Sequence, residues 1–236
     1  MRLKFKSKHK EINSREKHPS AKSLANFMLN NKSFLGITLS ILDEWKNNID
    51  SSKIEDIVKN NFRFEESIIK DKNYEEFIKL LNSFYNGTEG VVNGRRGRFL
   101  ELIWDVVGTY NGKEFTQKID EAIVLENEIK ISNKDIDIVY VGEVKDKNTD
   151  NFIEMHECKS SANSTLRTPL KPKHRGKLEL MQSVLQISET EEIKCDGLII
   201  TFNANKRKLE RKLRSYGFEY FKIIPRAEIE ERVFNK

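Results

Sequence analysis

The sequence predicts an α/β protein in which a mixed sheet is flanked by helices and preceded by a small α-helical region. Three observations support this prediction. Apolar residues recur at helical spacing through residues 21–86, strand-like apolar runs begin near residue 114, and helix-like and strand-like segments alternate after those runs. With 236 residues, the chain can bury a sizeable core. We predict a basic arm and helical region at 1–89 and an α/β domain at 90–236.

The helical region begins with a basic stretch. The opening residues, MRLKFKSKHKEINSREKHPS, are rich in Lys, Arg and His, and they predict a mobile arm or an edge strand. Phe34, Ile37, Ile41 and Trp45 then recur at helical spacing, and a later apolar stripe ends at an Asn-Gly pair that stops a helix well. These patterns predict several short helices before residue 90.

The elements after residue 90 follow the order α-β-β-β-α-β-α-β-α. A Gly-rich entry leads into a helix in VVNGRRGRFLELIWDVVG, and strand-like runs follow at EFTQKIDEAIVL, DIDIVYV and FIEMHEC, joined by polar turns such as GEVKDKNTDN. A helix at about residues 177–188, the strand DGLIITF, the basic helix NKRKLERKLRSYG, the short strand YFKII and a helix after Pro225 complete the chain. This order predicts a mixed sheet.

The composition bears on the class of protein and its partners. A formal net charge of +5 is compatible with a polyanionic partner. Cys158 and Cys195 lack C-x-x-C spacing, so we expect neither a zinc site nor a disulfide framework. The first residues do not resemble a signal peptide and no apolar run approaches bilayer length, so we expect a cytoplasmic protein without a membrane partner. Low Gly and Pro content together with many Lys, Asn and Ile residues favours a prokaryote or a virus of a prokaryote as the source.

Acidic and basic residues meet on two neighbouring predicted strands. Side chains alternate along a strand, so Glu157 and Lys159 share one face of FIEMHECKSS, and Asp135 and Asp137 share one face of DIDIVYV. An Asp close to Glu157 and Lys159 gathers two carboxylates and one ammonium. This donor set suits Mg²⁺, which takes one or two protein carboxylates and leaves the rest of its shell for water and phosphate. A lysine there can orient or activate the attacking water.

The arrangement resembles the PD-(D/E)XK nuclease superfamily, through Asp137 in KDIDIV and the E-C-K triplet from Glu157 to Lys159. The resemblance covers roughly residues 91–224 and implies a restriction-endonuclease-like αβββαβ core. It also implies that Asp137 and Glu157 hold Mg²⁺ or Mn²⁺, that Glu101 in GRFLELIW supplies another catalytic and metal-binding acid, and that Lys159 positions the attacking water. An isoleucine stands where the name-giving pattern has proline, which does no chemistry in that pattern.

Several residues have alternative interpretations. Asp135 competes with Asp137 as the ligand, and we prefer Asp137 because two strongly apolar residues follow it directly. Gln182 lies on the helix where some branches of the family place a functional glutamine, although a plain surface glutamine fits equally well. His156 and Cys158 point away from the acids and are predicted to be core residues. The E-x-K pair could also be an exposed ion pair, and the acid in GRFLELIW an ordinary surface residue.

Basic clusters are predicted to bind a phosphate backbone around the acidic centre. The loop SSANSTLRTPLKPKHRGK contains no acid and leaves the strand that ends in Lys159. The helix NKRKLERKLRSYG is a further basic surface, for which a merely solvated face is an equal alternative. The residues predicted to bind nucleic acid are Arg95, Arg96 and Arg98 before the acidic helix position, and Arg167, Lys171, Lys173, Arg175 and Lys177 in the loop.

The predicted function is a metal-dependent endonuclease that hydrolyses phosphodiester bonds in nucleic acid, with DNA as the expected substrate. Restriction, defence and junction-resolving types remain open, and the last would require a homodimer with two sites. The alternative is a non-catalytic nucleic-acid-binding module on a nuclease-like fold. A third interpretation is a helical interaction protein whose basic faces bind acidic protein partners. No motif for sequence-specific readout is recognised.

Overall fold

A computed structural model shows two compact units, each assembled from two separate stretches of the chain. The structure describes residues 2–8, 18–46, 49–61, 66–142 and 151–236. The sheet unit comprises Met1–Ser14 and Gly108–Pro225, and the helical unit comprises Arg15–Val107 and Arg226–Lys236.

A seven-stranded mixed sheet forms the sheet unit. Its strands are β1 (Leu3–Ser7), β2 (Gln117–Glu126), β3 (Ile129–Lys130), β4 (Ile136–Gly142), β5 (Phe152–Lys159), β6 (Lys194–Thr201) and β7 (Lys222–Ile224). Their order is β1-β2-β4-β5-β6-β7, and β3 pairs with β2. Neighbours from β1 to β5 are antiparallel, whereas β5, β6 and β7 are parallel. The predicted α/β class with a mixed sheet is confirmed.

The helical unit contains helices from both ends of the chain. Its helices are α1 (Pro19–Asn30), α2 (Leu35–Glu44), α3 (Ser51–Asn61), α4 (Glu66–Ile69), α5 (Tyr74–Tyr85), α6 (Glu89–Asp105) and, after the sheet unit, α10 (Arg226–Phe234). Helix α1 packs against α5 and α6, and α10 packs against α2 and α6. Aromatic rings fill the core, with the Phe34 and Phe77 centroids 4.9 Å apart and Trp104 fully buried.

This division differs from the predicted boundary between residues 89 and 90. Helix α6 groups with the helices because it packs on α1, and β1 groups with the sheet because it pairs with β2. The basic start therefore contains an edge strand, one of the two predicted alternatives. Residues 9–17 of the predicted arm and residues 143–150 of the predicted polar turn lie outside the described residues.

The predicted Gly-rich entry to α6 is itself helical, which corrects the sequence-based interpretation. Helix α6 begins at Glu89 and includes three glycines, although each costs about 1 kcal/mol relative to alanine in a helix. One of them, Gly94, has a packing reason, because a Cβ atom there would lie 2.8 Å from Nε2 of His18. Close approach between α6 and the residue before α1 thus favours glycine over a side chain.

The remaining helices belong to the sheet unit and include the helix that covers the candidate site. They are α7 (Ala162–Thr165), α8 (Pro172–Thr190) and α9 (Lys206–Ser215). Helix α8 begins five residues before the predicted start near 177, because Pro172 occupies its first turn, where a missing N–H costs nothing. Met181 and Val184 of α8 join Val139 of β4 and Met155 of β5 in one apolar core.

Among the described helices, none combines the length and apolar content needed to cross a membrane.

Candidate active site

Two carboxylates lie side by side on β4 and β5. The antiparallel register pairs Ile138 with His156, so Asp137, one residue earlier, lies opposite Glu157, one residue later. Opposed residues of antiparallel strands have Cβ atoms about 4.5–5.5 Å apart. Alternation also puts Glu157 on the same face as Met155, the face covered by α8. The pairing of β4 with β5 therefore brings these two acids together.

Asp137 is held in its charged form. Its Oδ2 atom accepts a hydrogen bond from the backbone N–H of Cys158 at 2.8 Å and lies 3.4 Å from Nζ of Lys159, while Oδ1 lies 2.8 Å from Nζ of Lys177. Burial opposes ionisation, but the two ammoniums and the backbone N–H outweigh it and lower the pKa of Asp137. The side chain is an anion at neutral pH.

Glu157 is the more deeply buried acid, with 2% of the residue exposed. Its Oε1 atom contacts Nζ of Lys159 and lies 2.8 Å from Nζ of Lys177. Oε1 is thus paired with both ammoniums, whereas Oε2 has no hydrogen-bond partner among the described residues. Burial, followed by the negative charge of Asp137, raises the pKa of Glu157 in spite of both ammoniums. The site therefore has one buried carboxylate oxygen, Oε2 of Glu157, that can accept further bonds.

Lys159 extends from the end of β5 toward both acids. Its ammonium contacts Glu157 and Asp137 and donates a hydrogen bond to the carbonyl of Cys158 at 3.2 Å. Burial acts to lower the pKa of Lys159, but the two carboxylates raise it by more than burial lowers it. The net shift of the pKa is therefore upward. As a cation, Lys159 can orient a water molecule and offset developing negative charge.

Lys177 joins the acidic centre from α8. Its ammonium lies 2.8 Å from Asp137, 2.8 Å from Glu157 and 3.4 Å from Asp135. The carboxylates raise its pKa despite burial. Its predicted contact with a phosphate stays a prediction, whereas its position among the acids was missed. The signal was present, because Lys177 shares the i, i+4, i+7 stripe of α8 with Met181 and Val184.

Asp135 lies just before β4 and has other partners. Its Oδ2 atom lies 2.6 Å from Nζ of Lys8, and Oδ1 lies 3.4 Å from Nζ of Lys177. Burial opposes ionisation, yet the hydrogen bond from Lys8 and the charge of Lys177 lower its pKa. Because Asp137 and not Asp135 is opposite Glu157 in the register, this geometry supports the preference for Asp137 as the ligand.

Glu101, the further acid implied by the family resemblance, belongs to the helical unit. It lies on α6, where its Oε2 atom accepts a hydrogen bond from Nη1 of Arg98 at 2.8 Å, one turn earlier. This is an ordinary i, i+3 helix pair. The metal-binding and catalytic role of Glu101 stays a prediction, as does contact of Arg98 with nucleic acid.

The other two predicted arginines of α6 make contacts within the helical unit. Arg95 donates hydrogen bonds to the carbonyls of Phe84 and Ser83 at the end of α5, at 2.8 and 3.2 Å. Arg96 is only 1% exposed, and its Nε atom donates to the carbonyl of Leu42 at 2.8 Å. The burial of Arg96 does not support its predicted phosphate contact, since the guanidinium is hydrogen-bonded to the end of α2 inside the helical unit. The pattern of charges in the sequence does not distinguish such a buried arginine from an exposed one.

The basic loop is partly helical but keeps its exposed charges. The exposed members are Arg167, Lys171, Lys173 and Arg175, with the last two on the first turn of α8. We call these four residues the basic surface. In α9, Leu209 and Leu213 are buried while most of the Lys and Arg side chains are exposed. Contact of either set with nucleic acid stays a prediction.

The opposite face of β5 is a core, as predicted. His156 is fully buried, with Nε2 2.6 Å from Oε1 of Glu154 and its ring centroid 5.1 Å from that of Tyr140. Burial lowers the pKa of His156 more than Glu154 raises it, so the imidazole is neutral at pH 7. Cys158 is also buried. Gln182 is half-buried on α8, and its role stays open.

The donor atoms at the site fit a hard divalent cation. No group of three or more His, Cys, Asp or Glu side chains in the described residues is arranged as a metal site. Asp137 and Glu157 together offer oxygen atoms alone, and Glu157 has unfilled acceptor positions. Such a pair suits Mg²⁺ or Mn²⁺ with water and phosphate completing the shell, rather than zinc.

A small pocket adjoins the carboxylate of Glu157. Its volume is about 10 Å³, close to the space that one water molecule needs. Glu157, Lys159, His174 and Lys177 line it together with apolar side chains. Burial and nearby lysines lower the pKa of His174. The pocket thus offers room for a water molecule beside the ammonium of Lys159.

Comparisons with known proteins add little. No family model matches the chain, and no curated protein matches it. Among solved structures, the chain is similar to the crystal structure of protein VC1899 from Vibrio cholerae, with 12% sequence identity, a TM-score of 0.39 and coverage of 99% of this chain. The chain spans 57% of the length of that protein. A likeness this weak carries no argument about fold or function.

Proposed function

We propose that the protein is a metal-dependent endonuclease that hydrolyses phosphodiester bonds in nucleic acid, with DNA as its substrate. The observation that supports this most is the convergence of Asp137, Glu157 and Lys159 at the adjoining ends of β4 and β5. Two carboxylates for a hard cation and one ammonium for a water or phosphate are the groups that phosphodiester hydrolysis needs.

Each residue of the site has a definite task in this proposal. Asp137 and Glu157 would hold Mg²⁺ or Mn²⁺, which when bound supplies Lewis acidity and lowers the pKa of a water molecule. Lys159, held as a cation by the same carboxylates, orients the attacking water and offsets negative charge that develops on the phosphate. The burial of Glu157 strengthens these electrostatic effects because the local dielectric is low.

The basic surface supports a polyanionic substrate. Its four residues lie in the stretch that runs from Lys159 to Lys177, and the ammoniums of both lysines contact Asp137 and Glu157. Both ends of this stretch are therefore held at the acidic centre. Phosphates bound along it would bring the polymer close to the carboxylates, and neutralising them would release counterions.

A non-catalytic nucleic-acid-binding module is the second candidate. The observation that favours it is the balance of charge at the acidic centre, where three carboxylates contact three ammoniums. Such a network can be structural, because each buried charge has a partner. The residues of the network are Asp135, Asp137 and Glu157 with Lys8, Lys159 and Lys177.

Cleavage of a matched substrate panel tests the proposal. The panel contains supercoiled, linear, single-stranded and four-way-junction DNA together with RNA, each with Mg²⁺, Mn²⁺ or EDTA. We expect cutting that requires the metal and falls by roughly 10²–10³-fold in Lys159→Ala, the range found when one charge-stabilising donor is removed. Asp137→Asn should be equally inactive. Lys222→Ala is the control, because Lys222 forms an ion pair with Asp196 elsewhere on the sheet.

The outcome separates the two candidates. Binding to the panel without cutting under any metal, with equal affinity in wild type and Asp137→Asn, would favour the binding module. Equal cutting by wild type and Asp137→Asn would point to a contaminating nuclease. The preferred substrate would choose among the restriction, defence and junction-resolving types, and sedimentation would show whether a homodimer forms.

A further inference from the structure

We propose that the ammonium of Lys177 occupies the position between Asp137 and Glu157 in which a divalent cation would bind. Binding of the cation would displace this side chain, which would then be able to contact nucleic acid. The inference rests on the proposed metal site and extends it, because the position of Lys177 would depend on whether a cation is bound. Lys177 would contact the acids before the cation binds and a substrate phosphate afterwards.

The position of the ammonium is the first argument. Nζ of Lys177 lies 2.8 Å from Oδ1 of Asp137 and 2.8 Å from Oε1 of Glu157, one oxygen from each strand. Mg²⁺ binds oxygen at about 2.0–2.1 Å. A cation held by the same two oxygens on the side that the ammonium occupies would overlap the ammonium. The side chain is 15% exposed, so the ammonium occupies a largely but not fully buried position.

The charge of the cluster is the second argument. Lys159 and Lys177 already neutralise the two carboxylates that would hold the cation. A divalent cation added beside both ammoniums would leave an excess of two positive charges against this pair in a poorly hydrated site. Repulsion between cations at this separation is strong where the dielectric is low. This repulsion decreases when one ammonium leaves the cluster.

Lys177 is the ammonium that can leave. Lys159 is on the same strand as Glu157, and its ammonium also donates to the carbonyl of Cys158 at 3.2 Å. Lys177 instead reaches the acids from α8, so its withdrawal needs rotation of one side chain and no movement of β5. One turn earlier on α8 lies the exposed Lys173. A released Lys177 would add its charge to that basic surface.

Amine labelling in the full chain tests the exchange. The protein is treated with an N-hydroxysuccinimide ester with and without saturating Mn²⁺, and modification of each lysine is quantified by mass spectrometry. We expect labelling of Lys177 to rise at least about fivefold with Mn²⁺, because the ammonium leaves its buried partners. Labelling of Lys222, which is paired with Asp196 at 2.6 Å, should not change.

Calorimetric titration with Mn²⁺ provides the companion measurement. We expect Lys177→Met to bind Mn²⁺ roughly tenfold more tightly than wild type, since no ammonium has to be displaced. Lys173→Met is the matched control, because it removes the same charge from the same helix at an exposed position, and it should change the affinity less than twofold.

Each outcome has a distinct meaning. If Mn²⁺ binds in an Asp137-dependent manner but Lys177 stays protected, the exchange is overturned and the metal site of the proposed function stands. Weaker Mn²⁺ binding by Lys177→Met would overturn it as well. If wild type and Asp137→Asn bind Mn²⁺ equally or not at all, the proposed metal site fails and the exchange fails with it.

Discussion

Asp137 and Glu157 are neighbours across β4 and β5 and share the ammonium of Lys177, yet their pKa values move in opposite directions. The difference arises because Asp137 is less buried and accepts a hydrogen bond from a backbone N–H, whereas Glu157 lies deeper in the core and also faces the negative charge of Asp137. The two acids titrate as a coupled pair. Ionisation is favoured at Asp137, whose pKa is lowered, and disfavoured at Glu157, whose pKa is raised.

This asymmetry predicts opposite effects of two isosteric substitutions on stability. Asp137→Asn should lower the free energy of unfolding by about 1–3 kcal/mol, because it weakens charge-assisted hydrogen bonds. Glu157→Gln should leave it unchanged or raise it. A carboxyl group whose folded-state pKa is raised destabilises the folded state at pH values above its unfolded pKa, and the amide has no such cost. Urea unfolding at pH 7 measures both, and the reverse order would contradict the prediction.

A second prediction concerns His156 and acid stability. Its folded-state pKa is lowered by burial, so the unfolded chain takes up a proton more readily than the folded one. The stabilisation by neutral His156 is therefore complete above the unfolded pKa of about 6.5 and is lost as the pH falls toward the lower folded pKa. The melting temperature of wild type should fall from pH 7 to pH 5. It should fall less in His156→Gln. The pKa of His174 is lowered as well, but this side chain is only half-buried, so His174→Gln should reduce the fall by a smaller amount.

A third prediction addresses the basic surface. Replacing Arg167, Lys171 and Lys173 with Ala should weaken DNA binding and reduce the slope of log affinity against log salt concentration by about 0.9 for each phosphate that is no longer neutralised. The matched control replaces three exposed lysines of the helical unit, Lys22, Lys72 and Lys79. Fluorescence anisotropy at several salt concentrations gives the slopes. Equal slope changes in both triple variants would show that binding depends on net charge alone.

A fourth prediction separates packing from binding at Arg96. Arg96→Met should lower the free energy of unfolding by about 2–3 kcal/mol, because it removes a buried hydrogen bond from a charged donor. The salt slope for DNA should not change. Both tryptophans of the chain, Trp45 and Trp104, lie in the helical unit, so their fluorescence follows its unfolding in urea. Arg98→Ala, at a half-buried helix pair, should cost less than about 1 kcal/mol.

The sequence predicts those features of the fold and of the site that depend on local patterns, and it does not predict those that depend on which elements pack together. Alternation along two strands places Asp137, Glu157 and Lys159 on one face, because side-chain direction in a strand depends on position alone. The contribution of Lys177 requires knowing that α8 packs its Lys177, Met181 and Val184 stripe against the acid-bearing face of β4 and β5, which is a long-range relationship. The burial of Arg96 depends on which helix packs over it, which charge patterns do not encode.

The pairing of β1 with β2 has a consequence for the order in which the protein matures on the ribosome. Leu3 pairs with Glu126, so β1 is synthesised more than a hundred residues before its partner strand β2. The intervening stretch, residues 15–107, makes most of the helical unit, but α10 follows the entire sheet. Neither unit is complete when its first segment leaves the exit tunnel. Folding of both therefore finishes late, and until β2 emerges the backbone groups of β1 that will pair with it are open to other chains.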